Sequence, residues 1–190
     1  GIGAVAAAHR GVEELHLLAK LVRGLGSQSI DVRTRHADFA NTAPSGQARW
    51  LGTSIASLST LNSALVVGSF LRKDHPLFAQ RIRQAARKGA KVFSLHAVHD
   101  DWAMPMAGRL TAAPSAWAQA LADVAGYVAT SKGVAAPASA MVNEDARALA
   151  EGLLSGERKA ILLGNAAAQH PQASQLLALA QWLGDHTGAT

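Results

Sequence analysis

At 190 residues the chain has the length of one domain or two small ones, and a chain of that size can bury roughly 70% of its unfolded surface without staples. The composition is globular, 49% hydrophobic and 16% charged. The lack of cysteine excludes a disulfide framework and any cysteine-ligated zinc or iron–sulfur site within these residues, and is compatible with a cytoplasmic location. The net charge of +5 suits an acidic partner, but basic residues are spread along the chain with no aromatics interleaved, so we read no nucleic-acid footprint.

The N-terminal "GIGAVAAAHRGVEE" lacks a charged region followed by a long apolar core, so no signal peptide is read. No apolar run approaches the ~20 residues of a membrane helix, so direct membrane insertion is not expected. Residues 2–8 are continuously apolar and fit a buried strand. A helix is predicted over 11–26, with Leu15, Leu18, Ala19 and Val22 on one face, Glu13 and Glu14 in the first turn, and Gly24 or Gly26 closing it. Leu17 and Leu21 widen the apolar face, which predicts cover on more than one side. Residues 27–33 fit a short strand, and 36–63, with Pro44, Gly46 and Gly52, fit a loop with one short helix.

A strand is predicted over 64–67. After Pro76 comes a helix with Phe78, Ile82, Ala85 and Ala86 on one face and Gln80, Arg81, Arg83, Gln84, Arg87 and Lys88 on the other, ending at Gly89. The basic face is a solvated or contact surface. The next strand spans 90–97, and 98–113 reads as irregular. A helix starting near Ser115 carries Trp117, Leu121, Val124 and Val128. Residues 131–140 are a low-complexity linker and a candidate sub-boundary. Asn143 caps a helix through Leu154, a strand spans 160–163, and a last helix carries Leu176, Leu179, Ala180 and Leu183, closed by Gly184. The solid apolar strands predict an α/β fold, a doubly wound, mostly parallel sheet of repeated strand–loop–helix units with right-handed crossovers. The chain stops at "HTGAT", where such a fold would lay down another strand, so we expect a fragment of a longer protein.

One motif occurs twice, as "ALVVGSFLRKDHP" (64–76) and "AILLGNAAAQHP" (160–171). Each ends a strand in glycine and reaches His-Pro, with the proline at the first helical position and the histidine held out of the helical region before it. Gly68 and Gly164 then sit at strand carboxyl ends, where open α/β sheets bind ligands, and free N–H groups beyond offer an anion site. Arg72 and Lys73 would strengthen that site in the first copy. Neither copy has the spacing of a dinucleotide or phosphate loop, so fold punctuation is the simpler reading. Residues 96–102 offer His96, His99, Asp100 and Asp101 as metal ligands, but the spacing is not specific, and no metal site is expected. No catalytic constellation is read; Glu13 and Glu14, being adjacent, point in different directions. A metal enzyme or hydrolase using residues 96–101 is the enzyme-class alternative.

The segments "EELHLLAKLVRGLGSQSIDVRTRHADF" (13–39) and "WLGTSIASLSTLNSALVVGSFLRKDHPLFAQRIRQAARKGAKV" (50–92), with "AILLGNAAAQHP", resemble the family of large iron–sulfur subunits of bacterial NADH–quinone oxidoreductase (respiratory complex I), within the molybdopterin oxidoreductase superfamily. The resemblance implies a doubly wound fold in the peripheral arm, which passes electrons from NADH through flavin and iron–sulfur clusters to quinone. It implies other peripheral-arm subunits as partners, and a peripheral place on the cytoplasmic side of the inner (plasma) membrane. The family's clusters are held by cysteines in an N-terminal part, and this chain has none, so the clusters belong to the parent subunit outside it. This segment would be non-catalytic framework without a cofactor. Molybdenum-containing relatives bind a pterin nucleotide through Gly-x-Asn-Pro after a strand like 64–67. Here Ser69, Phe70 and Leu71 follow Gly68, and Asn165 after Gly164 precedes no proline. Gly68, Ser69, Gly164 and Asn165 are therefore weak candidates for cofactor binding, and a pterin- or nucleotide-binding module at these turns is the alternative function.

Overall fold

The computed structural model describes residues 1–7, 10–32, 38, 40 and 51–190. The chain forms two units, Gly1–His36 and Ala37–Thr190. In the first, β1 (Ala4–Val5) pairs in parallel with β2 (Ile30–Asp31), so both expected strands are present but only two residues long. The first is not the buried strand expected, since Val5 is 69% exposed with no helix among the described residues packed over it. Ala8 and Arg33, at the ends of those expected strands, lie outside the described residues, as do Pro44, Gly46 and most of residues 36–50 of the loop expected over 36–63, whose short helix is a 3₁₀ turn at Ile55–Thr60. Helix α1 (Val12–Gly24) is entered at Gly11, whose N–H donates to the Glu14 carboxylate at 3.0 Å. Gly26 adopts φ +83 just beyond it. The expected double-sided cover of α1 is not found. Val22 is its one buried residue, while Leu17 and Leu21 are 63% and 60% exposed, because two short strands offer little surface to pack on.

The second unit is built on a four-stranded sheet in the order β5-β4-β3-β6, parallel throughout. Strand β3 (Ser63–Val67) is central, aligned with β4 (Lys91–His96) and β6 (Lys159–Leu163), so that Ser63 lies opposite both Lys91 and Lys159. Every residue of β3 is buried, as its unbroken apolar run requires for a strand covered on both faces. Alternation sends Leu65, Val67, Phe93 and Leu95 into one core and Ala64, Val66 and Val92 into the other. The first core is closed by α4 (Trp117–Lys132), α5 (Glu144–Leu154) and α7 (Ala173–Thr187). The second is closed by a 3₁₀ turn at Ile55–Thr60, α2 (Leu71–Asp74) and α3 (Pro76–Ala86). Helices on both faces of a parallel sheet make this an α/β fold.

Local expectations fare unevenly. Asn143 caps α5 as expected, its Oδ1 accepting from Ala146 N at 2.8 Å. Pro76 is the first residue of α3, and His75 before it sits at φ −141. The stretch expected to be irregular contains β5 (Gly108–Thr111), an edge strand whose sequence Gly-Arg-Leu-Thr carries too little apolar signal to announce itself. The same stretch buries Trp102 to 1% exposure in the second core. Helix α4 runs to Lys132, past the start of the expected linker. Beyond it, Gln119 donates to Ser139 O, and Asp123 accepts from Met141 N, both from α4. Gly184 does not close the last helix. It lies inside α7, which ends at Gly188 with φ +73. Pro171 does not open that helix either. A turn intervenes, α6 (Asn165–Ala168) precedes it, and α7 starts at Ala173.

Candidate functional site at the glycine turns

The chain lays β3, β4 and β5 outward in one direction, then places β6 on the other side of β3. Strand order therefore reverses between β3 and β6, and the crevice at their carboxyl ends is where a doubly wound sheet binds ligands. Gly68 and Gly164 both fall there, and their turns are bonded to each other. Gly164 N donates to Val67 O at 2.8 Å and Ala166 N to Gly68 O at 3.0 Å. Two of the backbone donors at the second turn are thus spent on the first turn and its strand.

Space at the two glycines is occupied by protein. Gly68 has φ +64, and a Cβ there would lie 2.6 Å from Ala167 N and 2.8 Å from Trp117 Cζ3. Gly164 has an ordinary φ of −84, but a Cβ would overlap Ser69 Cβ and lie 2.7 Å from Gly68 O. Both glycines are required by turn-on-turn packing. The position an anion would take in the first copy is filled by Asp74, whose Oδ2 accepts from the Ser69 hydroxyl at 2.8 Å and from Phe70 N at 3.1 Å. Ser69 is itself buried. Arg72 does not strengthen an anion site here, because its guanidinium donates to the Asp101 carbonyl and carboxylate, both at 2.8 Å.

Trp117 covers the crevice. It is 2% exposed, donates from Nε1 to Ala112 O at 3.0 Å, and stacks with two imidazoles, His96 at 6.0 Å and His170 at 5.6 Å between ring centres. His170 is held at both ring nitrogens. Nδ1 accepts from Gln172 N at 3.0 Å, so the network assigns the proton to Nε2, which donates to Pro114 O at 2.9 Å. That use of the His-Pro histidine explains why the second copy turns once more before its helix. His75, in the first copy, instead stacks on Phe78 at 5.5 Å.

The residues considered as metal ligands separate into pairs. His96 Nδ1 lies 3.0 Å from Asp100 Oδ2 without the alignment of a hydrogen bond. Asp101 binds Arg72, and His99 Nε2 lies 2.6 Å from Arg109 Nη1. The Asp101 carboxyl is held below its ordinary range, first by the Ala103 N–H and then by Arg72. Among the described residues no group of three His, Cys, Asp or Glu could hold a metal ion. Asp74, Trp117 and His170 give the crevice its character, and sequence reasoning missed their roles there. Trp117 was legible as a core position and His170 as turn chemistry, but nothing local marks their stacking.

A doubly wound parallel-sheet domain with its switch point at two glycine turns is the class that fold and site define. The family model "Molybdopterin oxidoreductase" matches residues 1–190, and the chain belongs to the molybdopterin oxidoreductase family. No curated protein matches the sequence significantly. A pterin nucleotide, which that family implies, does not fit against Gly68 and Gly164 in this arrangement, since protein atoms take the space and Asp74 would repel its phosphates. Among the described residues no helix is long and apolar enough to cross a membrane.

Proposed function

We propose that the chain is a non-catalytic framework segment of the large peripheral-arm subunit of an NADH–quinone oxidoreductase. Family membership supports an oxidoreductase-type role. The resemblance of residues 13–39 and 50–92 supports the particular enzyme. The observation that carries the framework role is the crevice filled from within, by Trp117 above Gly68 and by the Asp74 carboxylate on Ser69 and Phe70. The segment holds the shape of the arm beside the electron path, binds no cofactor of its own, and contacts other peripheral-arm subunits on the cytoplasmic side of the membrane.

The test is affinity purification of the tagged full-length gene product from its own membranes in mild detergent. NADH–quinone reductase activity, flavin and iron–sulfur absorbance should co-purify with it. Recovery of a molybdenum-containing enzyme, or of the tagged product alone, would contradict the assignment.

A further inference from the structure

The basic residues are scattered, but their excess over acidic ones is not. Residues 71–91 hold seven of the 18 Lys and Arg and one of the 13 Asp and Glu, a net of +6, so the remainder sums to −1 against +5 for the whole chain. This segment is α2, α3 and the turn into β4. Helix α3 buries Ala79, Ile82, Ala85 and Ala86, which fixes its outward face. At 3.6 residues per turn that face is centred on Leu77, Gln80 and Gln84, flanked by Arg81 and Arg83, with Arg87 and Lys88 following at the helix's C-terminal end. Those four cations form no side-chain hydrogen bond or ion pair among the described residues. Among the described residues, the acidic partners in ion pairs include Asp100, Asp101 and Glu151, none of them paired with these four cations. Leu77, in the first turn of α3 with Arg81 one turn further on, is 67% exposed.

We infer that the outward face of α3 docks an acidic protein surface carrying an apolar side chain. An exposed leucine at one end of a row of unpaired cations offers an apolar contact flanked by polar groups, as interface contacts are flanked by groups that exclude water. The unpaired guanidinium and ammonium groups would steer carboxylates to it and set the register, and the amides of Gln80 and Gln84 supply both donors and acceptors between them. Nucleic acid fits less well, since the face offers no ring on which a base could stack. The docking face stands whichever oxidoreductase the chain serves.

The experiment uses the intact chain and a fluorescein-labelled peptide of alternating glutamate and leucine clusters, read by anisotropy at low and physiological ionic strength. Oligoglutamate of equal length and a short DNA duplex are the comparison probes. The expected result is salt-dependent binding of the Glu/Leu peptide, weakened at least tenfold by R83E/R87E and again by the independent pair R81E/K88E. L77S should weaken it at least threefold and bring it level with oligoglutamate. The pair K20E/K132E, which changes net charge equally on other helices, should leave it within twofold. Thermal melts confirm that each variant is folded. The inference is overturned if the peptide does not bind, if K20E/K132E weakens it as much as R83E/R87E, if L77S has no effect, or if DNA binds more tightly than the peptide.

Discussion

Three glycine-to-alanine substitutions separate the forces that shape the crevice. Gly89 has φ +98 with no atom within 4 Å of a would-be Cβ, so G89A introduces backbone strain alone, about 1–2 kcal/mol for an L-residue in the left-handed region. Gly164 has an ordinary φ, so G164A introduces crowding alone. Its methyl would meet Ser69 Cβ and the Gly68 carbonyl, at roughly 1–3 kcal/mol for overpacking. Gly68 combines both, with φ +64 and a Cβ set against Ala167 N and Trp117, so G68A should cost about 2–5 kcal/mol. Alanine restricts the unfolded chain in all three, which offsets roughly 0.4–1 kcal/mol equally and leaves the order unchanged. Urea denaturation followed by circular dichroism, with m-values checked for constancy, measures each loss. The expected order is G68A above both single-cause variants. If G68A costs no more than G89A, the space over Gly68 is not filled by Trp117 and Ala167, and the crevice is open.

Other outcomes follow from the same contacts. N143A should lose about 1 kcal/mol of stability by urea melt, because Ala146 N at the start of α5 loses its acceptor. R83Q/R87Q should change stability by less than about 0.5 kcal/mol, since both side chains are exposed and unpaired, and a larger loss would show them buried and paired. The Asp38 carboxyl is held below its ordinary value of 3.8, first by the Ser174 hydroxyl and then by the Ala40 and Ser174 N–H groups. A depressed carboxyl contributes stability that is present above its unfolded value and lost as pH falls through its folded value. The stability gap between wild type and D38A should therefore be constant near neutral pH and close in acid below about pH 4. A gap unchanged at pH 3 would refute that role.

What the sequence conveyed well was whatever depends on neighbours in the chain. The strands at β3, β4 and β6, the faces of α3, α4 and α7, and the Asn143 cap were all legible from runs, periodicity and capping chemistry. So was the placing of Gly68 and Gly164 at strand ends. What failed was set by distant partners or by weak signal. β5 has one strongly apolar residue and takes its conformation from the edge of β4. Pro171 fits the rule for a first helical residue, but the His170 side chain, drawn to Pro114 O and Gln172 N, imposes another turn. Arg72 and Lys73 suggested an anion site, yet Asp74 of the same short helix already occupies it and Arg72 is drawn to Asp101. The filling of the crevice by Trp117 joins residues far apart in the chain, which no local pattern encodes.

The central claim is that the glycine turns pack against each other and against Trp117 rather than against a ligand. Isothermal calorimetry of the purified chain with a guanosine nucleotide and with a pterin nucleotide tests it most directly, with tryptophan fluorescence as a second readout beside Trp117. No saturable heat and no fluorescence change at micromolar ligand is the expected result. A dissociation constant of about 1 μM or tighter, worth roughly −8 kcal/mol, with quenching of tryptophan emission, would show that the turns can open to hold a nucleotide and would contradict the account.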